Sequence, residues 1–173
     1  MSRSDQLIDQ YRAVHASKAY GQTSELLVGV ILKQISILSK IDSLLDYGCG
    51  QSRAGDWIGK IHDARVFKYD PAIPGIDALP KVKTDIVLCT DVMEHIPLEN
   101  VEIVLAEIRD VSEHAFFNIS CTRAAEILPN GENAHCTVRP PQWWKEKLGK
   151  FWTNPRQVRS LTRNAVSLVT WRR

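Results

Sequence analysis

The feature that most constrains this chain is a strand cut off by a glycine turn. Ser43 to Tyr47 is a short apolar run stopped by Gly48-Cys49-Gly50, and Ala54, Trp57, Ile58 and Ile61 then keep helical spacing. Strand and helix continue to alternate downstream. Ala64 to Tyr69 reads as a strand ending at Asp70, and Ile86 to Thr90 is continuously apolar, as a strand buried on both faces of a parallel sheet must be. Leu98, Val101, Leu105, Ile108 and Val111 mark a helix, and Ala115 to Ile119 the next strand. Val158 to Leu161 and Ala165 to Trp171, with a turn at Arg163-Asn164 between them, read as an antiparallel hairpin. The pattern predicts an α/β fold: a doubly wound, mostly parallel sheet closed by a C-terminal antiparallel hairpin.

The remaining segments frame that sheet. Asp5 to Ala19 and Ser24 to Leu38 carry helical patterns, punctuated by Gly21 and Thr23. Pro71 to Pro80 is too rich in proline for a long regular element, and Ser120 to Pro141 is irregular before a short helix over Trp143 to Leu148. With 173 residues and 44% hydrophobic content, residues 1–173 are expected to form one domain. No stretch reaches the roughly 18 apolar residues of a membrane span, and the N-terminus lacks the apolar core of a signal peptide, so a cytoplasmic protein without membrane contact is expected. The four cysteines, Cys49, Cys89, Cys121 and Cys136, lack CxxC pairing and read as reduced thiols.

Charge is unevenly spread. Residues 1–138 carry 13 basic against 19 acidic side chains, whereas 139–173 carry nine basic side chains and one acidic, Glu146. Trp143, Trp144, Trp152 and Trp171 are interleaved with that basic tail. The segment either presents a basic, aromatic face to an anionic partner such as a nucleotide or nucleic acid, or consists of solvated cations around core tryptophans.

A glycine turn at the carboxyl end of a parallel strand lets backbone approach a ligand closely. A dinucleotide fingerprint would need glycine at position 53, where the sequence has Arg53. A pyrophosphate is also disfavoured beside Asp46, while an ammonium group is favoured there. With its acidic residue ahead of the turn, Leu44-Leu45-Asp46-Tyr47-Gly48-Cys49-Gly50 resembles the first motif of the class I S-adenosylmethionine-dependent methyltransferases. The resemblance runs from Leu44 through the hairpin and implies a Rossmann-like methyltransferase fold. It implies a cofactor site at Asp46, Gly48, Gly50, Ser52, Asp70, Thr90 and Asp91. Asp70, 24 positions after Asp46, matches the acidic residue that bonds both ribose hydroxyls. Asp46 would meet the cofactor's ammonium.

There are departures from that pattern. Ser52 stands at the usual third glycine and keeps a hydroxyl able to bond ligand. Only 14 residues separate Asp70 from Asp85, too few for the usual helix and third strand, so a trimmed sheet that can lack that strand is expected. Ile73, Asp77 and the backbone near Ala78 are the candidates for adenine contacts. The run Thr90-Asp91-Val92-Met93-Glu94-His95-Ile96-Pro97 looks like the small-molecule members, and no Asn-Pro-Pro-Tyr motif of amino-methylating DNA enzymes occurs.

A sulfonium methyl is already activated, so the protein has to align an acceptor and manage its proton. Glu94, His95 and His135 are the candidate catalytic groups. Alternatively Glu94 serves the following helix, His95 packs under the cofactor and His135 is an exposed loop residue. Some oxygen-methylating relatives use a Glu-x-x-Glu-His run as divalent-metal ligands. That resemblance implies Asp91, Glu94, His95 and His135 as ligands of manganese, iron, zinc or magnesium, with Asp91 one methylene shorter than the family's residue. Zinc on Cys121, His135 and Cys136 lacks paired spacing. Helices over 5–38, with Tyr11, His15 and Tyr20, are a candidate lid. The expected function is methyl transfer from S-adenosylmethionine to an oxygen of a small or nucleotide-like, anionic acceptor. The alternative is a noncatalytic S-adenosylmethionine-binding or interaction domain.

Overall fold

The computed structural model describes residues 2–19, 22–161 and 163–172. Tyr20 of the expected lid and the punctuating Gly21 lie outside the described residues. Six strands form one sheet: β1 (Ser43–Tyr47), β2 (Arg65–Tyr69), β3 (Ile86–Thr90), β4 (Ala115–Ser120), β5 (Arg156–Val158) and β6 (Ala165–Val169). Their spatial order is β2-β1-β3-β4-β6-β5. The first four run parallel, and β6 is antiparallel to both β4 and β5. Residues 70–85 add no strand, so β2 is the sheet's edge and the usual third strand is absent.

Period-two alternation sorts the strands' side chains onto two faces. Leu45, Val87, Cys89, Phe117, Val166 and Leu168 pack on one face with α4 (Val101–Val111) and α5 (Pro141–Leu148). Leu44, Ile86, Leu88, Phe116 and Val169 pack on the other with α2 (Val28–Ile35) and α3 (Ala54–His62). β3 is fully buried along its length, as its unbroken apolar run requires. Trp144, Trp152 and Trp171 belong to this core, at 0, 5 and 5% exposure. The tail's cations are partly spoken for as well: Lys147 and Lys150 both pair with Glu102. The tryptophans of the basic segment therefore stabilise the fold, and only Trp143 remains partly accessible.

Three boundaries differ from the sequence expectation. The second helical pattern starts as a 3-10 helix, Gln22–Leu27, before α2. Ala64 is not in β2, because its amide caps α3 by donating to the Gly59 carbonyl past the left-handed Asp63. Arg163 and Asn164 form the expected turn, but β5 runs Arg156–Val158 rather than Val158–Leu161, ending opposite Ser167, so residues 159–161 belong to the connection towards β6. Leu161, expected in the strand, lies 49% exposed in that connection.

The N-terminal helix α1 (Arg3–Ser17) opens with a capping box between Ser2 and Asp5. It lies against the 124–136 segment rather than the sheet, burying Leu7 and Val14 with Leu128 and Ala134. No described helix is long and apolar enough to cross a membrane.

Candidate functional site

The parallel strands end along one rim, at Tyr47, Tyr69, Thr90 and Ser120, and the turns that leave them form the site. Gly48 and Cys49 both donate to the Tyr69 carbonyl, folding the glycine turn back over β2. Gly48 holds φ +67°, and a side chain there would meet Val92 at 2.5 Å. Only glycine fits. Gly50 donates to Asp70 Oδ2 at 2.8 Å, and the Ala72 amide donates to Asp70 Oδ1 at 2.9 Å.

The start of α3 is already occupied by the protein's own oxygens. The amides of Arg53, Ala54 and Gly55 donate to Glu25 Oε1 at 3.0 Å, Ser52 Oγ at 3.0 Å and Asp46 Oδ2 at 3.1 Å. A phosphate would need those same amides, so this is no pyrophosphate cradle. Asp46 lies beneath the turn, 3% exposed. Burial pushes its carboxyl up to about 7, against the lowering effect of the Gly55 amide and Lys68. Gly55 permits this arrangement, since a Cβ there would meet Asp46 Oδ2 at 2.6 Å.

A cavity of about 290 Å³ opens above the turn, lined by Gly48, Gly50, Asp70, Asp91 and His95, and by Tyr11 and His15 of α1. That is near the lower end of the roughly 300–1,000 Å³ usual for small-molecule sites. Asp46, Ser52 and Thr90 do not line it. Ser52 spends its hydroxyl on α3, and all three are buried behind the turn or strand end. Ile73, Asp77 and Ala78 are also absent from the lining; Tyr47 and Tyr69, packed edge to face at 4.9 Å, line that region instead with Ile103 and Glu107. The Tyr47 hydroxyl donates to Glu107 Oε2 at 2.7 Å.

Asp91 stands at the junction with φ +57°, uncommon outside glycine. Asn118 Nδ2 donates to its Oδ1 at 2.6 Å and Thr23 Oγ1 to its Oδ2 at 2.8 Å. Next to it, Glu94, His95 and His135 converge, with one ligating atom of each within 4.8 Å of the others. Asp91 is outside this group, because Asn118 and Thr23 hold its carboxylate, so the expected four-ligand set becomes three. Cys121 and Cys136 also lie outside it.

Each member of the group is held from behind. Glu94 is fully buried; Oε1 accepts from the Ser120 amide at 2.8 Å, and Oε2 has no partner among the described residues. Burial, reinforced by Asp91, pushes its carboxyl up to about 8. His95 Nδ1 lies 2.9 Å from the Ala134 carbonyl and 2.7 Å from the Tyr11 hydroxyl, which itself donates to Ala134. Burial and the neighbouring His135 hold His95 down to about 4. His135 Nδ1 lies 2.6 Å from the Thr122 carbonyl, and the two imidazoles meet edge to face at 4.8 Å. Nδ1–H donation to a carbonyl leaves Nε2 of each ring with a free lone pair, the arrangement found in metal-ligating and basic histidines alike. Donors on one ion at about 2.1 Å can lie no more than about 4.2 Å apart, so the three fit a divalent cation after a small closure.

No family model and no curated protein matches the sequence. Solved structures do. A 1,6-didemethyltoxoflavin-N1-methyltransferase of Burkholderia thailandensis, solved with its acceptor and S-adenosylhomocysteine, aligns with 98% of this chain and 89% of its own at 15% identity and a TM-score of 0.66. A DhpI complex with S-adenosylhomocysteine aligns over 94% of this chain and 95% of its own, at 12% identity and a TM-score of 0.62. Magnesium protoporphyrin IX methyltransferase of Synechocystis PCC 6803, with bound S-adenosylmethionine, covers 84% and 76% at 16% identity and a TM-score of 0.58. The fold is that of the class I S-adenosylmethionine-dependent methyltransferases.

Within that methyltransferase fold, several lining residues escape a reading of the sequence alone. Tyr47 and Tyr69 were legible in principle, as register partners closing adjacent parallel strands. Asn118 had a signal too, being the one polar residue inside the apolar run of β4; Ser167 Oγ fixes it by donating to its Oδ1 at 2.8 Å. Thr23 and Arg123, from segments without periodicity, gave none.

Proposed function

We propose that residues 1–173 act as one S-adenosylmethionine-dependent methyltransferase domain that methylates an oxygen of a small or nucleotide-like acceptor. The observation that carries this reading is a shared wall. A second cavity of about 500 Å³ borders the first, and Asp91 and His95 line both. Glu94 and His135 face the second cavity only. Cofactor in the first and acceptor in the second would meet at that wall.

Gly48, Gly50 and Asp70 would hold the cofactor's methionine and ribose parts, with Asp46 acting from beneath the turn and Ser52 and Thr90 supporting the turn and strand end. Bound S-adenosylmethionine would supply an activated methyl group to the acceptor oxygen and leave as the neutral thioether, its sulfur retaining the electron pair of the broken carbon–sulfur bond. The proton released by the acceptor passes to an imidazole. His95, held down to about 4, is a weak base that aligns the acceptor, so His135 takes the proton. Glu94, pushed up to about 8, keeps its own proton at neutral pH and donates through Oε2. Helices 5–38 would act as a lid, since α1 lines the cavity and is tied across it by Tyr11 to Ala134 and by Arg12 to the Pro71 carbonyl.

A second reading concerns a cation. The orphaned Glu94 oxygen and two imidazoles backed by carbonyls fit manganese, iron or zinc better than magnesium. Such an ion would supply Lewis-acid polarisation of the acceptor oxygen. Calorimetry with S-adenosylhomocysteine followed by a labelled-methyl screen over small hydroxylated compounds and nucleotides tests the proposal. Binding without any transfer would favour the noncatalytic S-adenosylmethionine-binding domain; absence of binding at millimolar ligand would remove both.

A further inference from the structure

We infer that the second cavity selects acceptors carrying an anionic carboxylate, and that Arg123 is the residue that reads it. This deepens the proposed function and rests on the second cavity being the acceptor side. The chain leaving β4 builds the pocket: the Ser120 amide holds Glu94, the Thr122 carbonyl holds His135, and Arg123 follows on the same short segment. Two buried polar atoms on the lining, Glu94 Oε2 and Ser160 Oγ, have no partner among the described residues. Buried polar atoms left unpaired cost free energy, so their presence in a cavity wall points to an occupant with hydroxyl or comparable groups.

The charges around the cavity decide the occupant's sign. Glu126 on the lining is neutralised by Lys18 at 2.8 Å, and the Asp91 carboxylate, which keeps its charge, has both oxygens taken by the neutral donors Asn118 and Thr23. The Arg123 guanidinium has no hydrogen-bonding or ionic partner among the described residues. Its planar fork matches a carboxylate in two parallel hydrogen bonds. Leu26 and Leu161, 74 and 49% exposed, give the mouth apolar walls. Exposed leucines beside an unpaired guanidinium suit a flat apolar body with a carboxylate on its rim and hydroxyl groups facing Glu94 and Ser160. A hydroxylated aromatic acid has that chemistry. The selecting charge is thus a single exposed side chain on the cavity's lining, distinct from the tail, where Lys147 and Lys150 are already paired with Glu102.

The test uses protocatechuate and its methyl ester, which share ring and hydroxyl groups and differ in charge. Both are titrated, by chemical-shift perturbation, into the full chain with and without saturating S-adenosylhomocysteine. The acid is expected to bind about tenfold tighter than the ester, Arg123→Gln to erase the difference, and Arg123→Lys to keep part of it. Phenyl phosphate separates carboxylate from general oxyanion recognition: weaker binding than the acid supports the inference, and equal or tighter binding overturns its carboxylate selectivity. Equal binding of acid and ester, no binding of either at millimolar concentration, or an acid affinity unchanged in Arg123→Gln overturns it as well. Calorimetry with S-adenosylhomocysteine is read separately. Loss of that signal defeats the methyltransferase reading while leaving the Arg123 dependence measurable on the unliganded chain.

Discussion

The Gly50 amide donates to Asp70 Oδ2 at 2.8 Å, which joins the glycine turn and the proposed ribose carboxylate into one hydrogen-bonded unit. Asp70→Asn keeps an oxygen for one of the two amides but loses the charged acceptor. S-adenosylhomocysteine should bind about tenfold or more weakly, since hydrogen bonds to a charged group contribute about 1.5–3 kcal/mol. Asp70→Ala strands both amides and should also lower the unfolding free energy by about 1–3 kcal/mol. Calorimetry and urea denaturation separate the two effects, and an unchanged affinity in the asparagine variant would remove Asp70 from the cofactor site.

Asp46 should leave a mark on stability against pH. Its folded-state value of about 7 lies above the unfolded 3.8, so the unfolded chain releases its proton first. Asp46's contribution is therefore most favourable below about 3.8, declines as pH rises towards 7, and is flat above. Asp46→Asn lacks that decline, and its stability relative to the parent should rise by up to about 1.4 kcal/mol per pH unit across the window. Parallel stability curves for the two proteins would show that the buried carboxyl is already ionised.

His135→Ala should abolish transfer while changing S-adenosylhomocysteine affinity less than about twofold, because the ring is outside the first cavity. Chelation distinguishes its two proposed roles. Transfer that survives excess EDTA assigns His135 to proton removal, and transfer lost to EDTA and restored by manganese assigns it to a cation. Retained activity in the alanine variant would exclude both.

Tyr11→Phe removes one hydroxyl that touches both Ala134 and His95. Loss of about 0.5–1.5 kcal/mol should loosen α1 before the rest of the fold opens. Hydrogen exchange should show the change confined to α1 and residues 124–136, with faster release of S-adenosylhomocysteine. Uniform exchange and an unchanged release rate would refute the lid.

The sheet was legible in the sequence because its signals are local. Glycines after Tyr47 and an unbroken apolar run at Ile86 to Thr90 each carry their own physics, and the short span from Asp70 to Asp85 correctly forecast a trimmed sheet. The site was legible only in part. Asp70 and Asp91 announce themselves at strand ends, but that the Ser52 hydroxyl serves Ala54, and that Asn118 and Thr23 take up Asp91, depends on contacts between distant segments. The antiparallel hairpin was legible as well, but the bounds of its first strand were not: β-propensity extends through Leu161, yet register against β6 ends at Val158.

Placing β6 between β4 and β5 also sets a schedule for biosynthesis. Phe116 to Ser120 find their antiparallel partners only once residues 165–169 have been made. Until then a nascent chain exposes β4's open edge and lacks Val166 and Leu168 from its core. Such a late, non-local closure slows folding and favours intermolecular pairing. A ribosome-bound intermediate that stops short of Ala165 should therefore be a client for chaperones, with the cofactor rim already outlined by β1 to β3 and the sheet still unsealed.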